Sequence, residues 1–300
     1  MATLAVPDRY LELSPVVITS PTPRCGTTLV QRLLTQSSNA FVYGEEVGHQ
    51  LRTLTTWLIG LLKHFEQTYP SIDPDFQRAL AGTLTDWRPG LTPPTEVMRR
   101  AWIETYYQLP YTFAQFSASV GRPVWGFKTP AYTRDMIRAL FSLLPRTKVV
   151  YLIRNLHDVL KSAKARRFVT TDEDVRKFCA EWAQNIRDMV ELAADERVLF
   201  LKYEDLLARR DDHLKLLELF TGAQGVDARQ FDLKVNTFRG AEAEGHSPTQ
   251  YIAPADLTAT DLRAVEDEAR AVVAKAQAGA EQAHRMGLVD KAGTSPQPSD

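Results

Sequence analysis

Apolar residues recur along this chain in two alternating rhythms, short unbroken runs and longer stretches at helical spacing. The runs begin at Pro15, Phe41, Pro123, Thr147 and Arg197, and residues 147–153 are apolar almost without interruption, the pattern of a central parallel strand buried on both faces. Between the runs, helical spacing covers 27–37 with Leu29, Leu33 and Leu34 inward, 133–144, 168–194 with Phe178, Trp182, Ile186 and Met189 on one stripe, and 213–220. Residues 47–119 are mostly helical and rich in aromatic rings; Pro89, Pro93 and Pro94 interrupt them, and Thr95-Glu96 opens a long helix. Residues 256–286 are Ala- and charge-rich at the same spacing. This alternation predicts one α/β domain over residues 1–290, with 47–119 as a helical insertion. No Gly/Ser/Pro linker or internal repeat divides it, and 291–300 reads as a disordered tail.

Composition narrows the ligand more than the fold. Lys plus Arg number 36 and Asp plus Glu 37 in 300 residues. No general basicity attracts nucleic acid or an anionic membrane, so any polyanionic ligand must be held locally. Residues 1–14 have neither a basic n-region nor a long apolar stretch, and the run Trp57–Leu62 is too short to span a bilayer. A cytoplasmic protein without a transmembrane segment is expected. Two cysteines, Cys25 and Cys179, make neither a disulfide framework nor a metal cluster, and the six histidines include no His-x-x-x-His pair, so no metal is expected.

The first run leads into Pro21-Thr-Pro-Arg-Cys-Gly-Thr-Thr28 and then into helical spacing. Strand, Pro/Gly turn and helix start make a phosphate cradle: free backbone N–H groups, the positive end of the helix dipole and the hydroxyls of Thr27 and Thr28 would converge on one anion. The Walker A pattern does not fit, because Pro21 stands five residues before Gly26, Thr27 holds the Lys slot and the cation is Arg24. The stretch resembles the 5′-phosphosulfate loop of the sulfotransferases that use 3′-phosphoadenosine 5′-phosphosulfate (PAPS), usually P-[RK]-S-G-T-T, with Cys25 in place of Ser.

Further matches follow in the family's order. The strand at 123–127 delivers Lys128-Thr129-Pro130; the family carries a Lys in this slot, and Pro130 stands where the cytosolic small-molecule branch has its His base. The strand at 147–153 leads into Arg154, with Ser162 eight residues on, which resembles the pair that binds the 3′-phosphate of the cofactor. Taken singly, Arg154 reads as a helix-capping contact and Ser162 as a solvated hydroxyl; order and spacing together favour the anion site. A strand at 197–202 ends in Tyr-Glu-Asp-Leu, common in the family, so the resemblance spans about residues 15–207. It implies a P-loop-NTPase-like fold, a three-layer α/β sandwich around a central, mostly parallel sheet. Gly44-Glu45-Glu46 is similar to the branch that sulfates protein tyrosines or carbohydrates, which uses a Glu base. By that match Glu46 is the base and Glu45 the fallback, although most such pairs are solvated loop acids. Lys234 and Arg239 fall in a polar segment, up to Pro254, that would cover the nucleotide.

The resemblance thus implies PAPS held by Arg24, Cys25, Gly26, Thr27, Thr28, Arg154, Ser162, Lys234 and Arg239. Arg24 and Lys128 would meet charge on the departing phosphate. Glu46, its pKa raised by burial, would take the acceptor's proton, with no magnesium required. A small-molecule, glycan or lipid hydroxyl would suit an aromatic-walled cleft at 47–119, though rings at helical spacing are core more often than pocket. The acceptor's identity and a homodimer are left open. Cys25, at a helix N-terminus beside Arg24, is expected to have a depressed pKa, to alkylate readily and to be protected by nucleotide. Two other readings stand beside this one: an ATP-dependent P-loop kinase of a small molecule, and a nucleotide-binding protein without catalysis.

Overall fold

The computed structural model describes residues 6–68, 72–83, 91–233 and 254–277. A short α1 (Asp8–Leu11) precedes β1 (Val16–Thr19), α2 (Thr27–Thr35), β2 (Ala40–Tyr43) and three helices in the aromatic-rich stretch, α3 (Glu45–Thr68), α4 (Ile72–Leu80) and α5 (Thr95–Ser119). Then come β3 (Val124–Lys128), α6 (Arg134–Leu143), β4 (Lys148–Ile153), α7 (Leu156–Ala165), α8 (Asp172–Met189), β5 (Val198–Lys202), α9 (Tyr203–Ala208), α10 (Arg210–Thr221) and α11 (Ala259–Gln277). Each apolar run of the sequence is a strand.

The sheet order is β2-β3-β1-β4-β5, and every neighbouring pair is parallel. Successive strand residues face opposite ways. Val17, Phe127, Val149, Tyr151 and Ile153 enter a core with α3, α5, α6, α7 and α8, whereas Val16, Ile18, Val150, Leu152 and Leu201 enter a second core with α2, α9 and α10. The three-layer α/β architecture expected from the sequence is the one found.

Local chemistry fixes where the helices begin. Thr133 caps α6 by accepting from Met136 N, and Asn155 caps α7 by accepting from His157 N at 2.9 Å. A reciprocal Thr171–Asp174 capping box starts α8. The α8 stripe of Phe178, Trp182, Ile186 and Met189 is buried as expected. In α2 the buried face is Val30, Leu33 and Leu34, and Leu29, expected inward, is only half-buried. The rings Tyr106, Tyr107 and Tyr132 are fully buried and serve the core. No described helix is long and apolar enough to cross a membrane.

Because the strands are all parallel, their C-terminal ends share one edge. There β1 lies between β3 and β4; α2, which follows β1, packs on one face, and α6, which joins β3 to β4, packs on the other. Chain leaving neighbouring strands toward opposite faces opens a crevice at that edge, where α/β sheets bind ligands.

Candidate active site

The cradle is the turn from β1 into α2. Ser20 Oγ donates to Thr22 O at 2.7 Å, and Ala131 N donates to Ser20 O at 2.8 Å, tying the turn to the chain leaving β3. Two residues of the turn have positive φ, Arg24 at 77° and Gly26 at 97°. Gly26 is also the N-cap of α2 and supplies no side-chain cap, so the first N–H groups of the helix stay available to an anion. Glycine is needed there twice over. A Cβ would strain the left-handed backbone, and it would sit 2.5 Å from Tyr203 Cε2 and closer still to Cδ2.

Basic side chains gather beside the cradle. Arg24 Nε donates to Ser162 Oγ at 3.0 Å, and Arg154 Nη1 donates to the Arg24 carbonyl at 3.2 Å. The Arg154 guanidinium lies 4.6 Å from the centre of the Tyr203 ring, and its Nε is buried without a hydrogen-bond partner among the described residues. Burial, then the like charges of Arg166 and Arg154, push the Arg24 pKa down. The ring of Phe168 lies 6.0 Å from the Arg24 guanidinium carbon. Arg24 thus touches Ser162 through its side chain and Arg154 through its carbonyl.

On the other side of β1, β3 ends in Lys128, which is buried and paired with Glu45, the first residue of α3. Thr129 N donates to Ile18 O at 2.9 Å, carrying the β1–β3 ladder one step past the strand and fixing the lysine's position. Glu46 is exposed and accepts from Gln50 Nε2 at 3.3 Å. The burial expected for Glu46 is not found: at the first turn of α3 the carboxylate turned onto Lys128 is that of Glu45.

Cys25 corrects the sequence reading. Its side chain is wholly buried, with Sγ 3.8 Å from Thr22 Oγ1, and burial pushes the thiol pKa up to about 11. The helix N-terminus and Arg24 do not offset that desolvation, because the turn at Arg24 points the thiol into the core. Thr27 is buried and Thr28 exposed. Lys234 and Arg239 lie outside the described residues, as does the tail.

A model described as "Sulfotransferase family" matches residues 15–227. The chain belongs to the sulfotransferase family. No curated protein matches it. Among solved structures, this sulfotransferase is similar to the sulfotransferase domain of the Synechococcus PCC 7002 olefin synthase, with 19% identity and a TM-score of 0.49 over 87% of this chain and 96% of the other. It is also similar to sulfotransferase STF9 from Mycobacterium avium, with 16% identity and a TM-score of 0.45 over 89% and 77%. Retinol dehydratase in complex with androsterone and the inactive cofactor PAP gives 16% identity and a TM-score of 0.41 over 94% and 84%.

Two residues that sequence reasoning did not single out lie beside these groups, Tyr203 against Gly26 and Arg166 close enough for its charge to act on Arg24. Tyr203 packs its ring against Gly26 and lies beneath Arg154; the signal was its place in the Tyr-Glu-Asp-Leu that follows β5. Arg166 stands four residues after Ser162, one helical turn, which is the spacing that puts it on the same face.

Proposed function

We propose that this sulfotransferase moves a sulfuryl group from PAPS to an acceptor hydroxyl. The observation that carries the proposal is the gathering of Arg154 and Arg166 around Arg24, which itself holds Ser162, beside the cradle. Like charges are held together there against their own repulsion, and the buried Nε of Arg154 lacks a partner among the described residues. A ligand with two anionic groups fits that demand: the N–H groups at 26–28 and Arg24 would hold the 5′ end, and Arg154, Ser162 and Arg166 the 3′-phosphate.

Bound there, PAPS would supply the sulfuryl group and a phosphate leaving group on which negative charge builds. Arg24 and Lys128 would neutralise that charge from a prearranged position, the burial of Lys128 sparing it reorganisation in water. Glu45 holds Lys128 in place, and Glu46, exposed on the same helical turn, takes the acceptor's proton. The helices α3, α4 and α5 form the acceptor side, and the acceptor is a small-molecule, glycan or lipid hydroxyl. Glu46→Gln is expected to lower kcat by about 10²–10⁴-fold and Glu45→Gln by less. The reverse order would exchange the two roles.

The deciding experiment is thermal unfolding with 3′-phosphoadenosine 5′-phosphate, set against ATP with magnesium, in wild type and Arg154→Ala. Ligand at a hundred times its Kd adds about 2.7 kcal/mol. Stabilisation by the bisphosphate that is lost in Arg154→Ala, with little effect of ATP, supports the proposal. A larger shift with ATP and magnesium, or an Arg154→Ala chain that responds like wild type, overturns it in favour of a kinase.

A further inference from the structure

Three carbonyl groups of the cradle are held by side chains, one from within the turn and two from outside it. Ser20 Oγ donates to Thr22 O, Arg154 Nη1 donates to Arg24 O, and Asn185 Nδ2, from the last third of α8, donates to Pro21 O at 2.7 Å. Asn185 is 164 positions from Pro21 in the chain and touches none of the groups assigned above to ligand. Its contact is nevertheless the one that bears on the least replaceable peptide of the turn. Pro21 and Pro23 have no N–H, so Thr22 carries the only backbone donor between Ser20 and Arg24. In a planar trans peptide the C=O and the following N–H point opposite ways. Holding Pro21 O on α8 therefore fixes the direction of Thr22 N–H.

The platform for that hold is rigid. A capping box fixes the start of α8, and Phe178, Trp182, Ile186 and Met189 bury its stripe in the core that α6, α7 and α11 also pack on. The turn itself is under strain, since Arg24 is a non-glycine residue at φ 77°, and such a conformation persists only where its surroundings over-determine it. Thr22 and Cys25, which follow Pro21, are both buried and in contact with each other, so slack in the Pro21–Thr22 peptide would reach the thiol directly.

We propose that Asn185 is a positioning residue for the anion cradle: its amide, delivered by α8, fixes the Pro21–Thr22 peptide and, through it, the entry into the Arg24–Gly26 turn. The ligand arm of the test rests on the PAPS reading above; the thiol arm does not.

The test compares wild type, Asn185→Ala and Asn185→Gln, which keeps the amide on a longer stem. Asn185→Ser, whose hydroxyl is too short to reach, replaces the Ala variant if that does not fold. In the ligand-free chain, alkylation of Cys25 is followed by mass spectrometry with Cys179, on α8 itself, as the internal reference. Loss of one net hydrogen bond corresponds to a factor of about five. Asn185→Ala is expected to raise Cys25 labelling about fivefold with Cys179 unchanged, and Asn185→Gln to recover part of it. The same variant is expected to weaken 3′-phosphoadenosine 5′-phosphate while leaving adenosine 3′-phosphate, which has no group for the cradle, as in wild type. Unchanged Cys25 labelling, or both cysteines accelerating together, overturns the proposal. A wild-type chain that fails to bind the bisphosphate overturns the PAPS reading instead and leaves the thiol comparison in force.

Discussion

Gly26→Ala probes the point where cradle, ring and guanidinium meet. A Cβ at position 26 carries two separate costs. The left-handed backbone at φ 97° disfavours any side chain by about 1–2 kcal/mol. The overlap with Tyr203, at 2.5 Å from Cε2, adds an overpacking cost of about 1–3 kcal/mol. The ring cannot simply swing away, because Tyr203 starts α9 directly after β5 and the Arg154 guanidinium lies 4.6 Å from its centre. The sum, about 2–5 kcal/mol, corresponds to a fall in Tm of roughly 4–20 °C at the sensitivity of large domains. Pushing the ring aside also displaces Arg154, and losing a charge-assisted bond of about 1.5–3 kcal/mol weakens the bisphosphate by about 10–150-fold. Calorimetry and ligand titration of Gly26→Ala, Tyr203→Ala and the double variant separate the two costs. In the Tyr203→Ala background the Gly26→Ala penalty should shrink to its backbone part, a coupling of at least about 1 kcal/mol. Strictly additive penalties, or a Gly26→Ala chain as stable as wild type, would refute the contact.

Other consequences are open to simpler assays. Lys128→Met should lower kcat by about 10²–10³-fold while leaving bisphosphate affinity nearly unchanged; a loss confined to affinity would move Lys128 out of the transition-state role. Cys25 should resist alkylating reagents in the native chain and react only when the turn around it opens, since its thiol is buried and pushed up to about 11; labelling at the rate of a free thiol would contradict the inward turn. Backbone N–H bonds from Thr170 and Thr171, then the Thr170 hydroxyl, hold the Asp174 carboxyl down at about 2, against an ordinary 3.8. A depressed carboxyl pKa contributes stability that is full above the unfolded value and lost as pH falls through the folded one. The capping box of α8 should therefore weaken between about pH 4 and pH 2, and Asp174→Asn should flatten that part of the pH-stability curve; an unchanged curve would remove the box from the account.

What could be read along the chain is whatever is contiguous or periodic. The five strands, the Thr95 helix start and the α8 stripe all follow from spacing, because strand and helix periods are local properties of the backbone. The cradle was legible because its Pro, Arg, Gly and Thr residues are neighbours, and Arg154 with Ser162 because eight residues span a strand end and two turns of helix. Three features of the site were not legible. Whether Glu45 or Glu46 meets Lys128 depends on where α3 starts, since one residue of phase turns a side chain by about 100°. Whether Cys25 faces ligand or core depends on the positive φ of Arg24, which no helix-start rule anticipates. Tyr203 against Gly26 and Asn185 on Pro21 join positions more than 160 residues apart, and such contacts exist only once the sheet order sets β4, β5 and α8 around β1. Sequence spacing supplied the list of reactive groups; the packing of parallel strands and their crossovers set which of those groups touch.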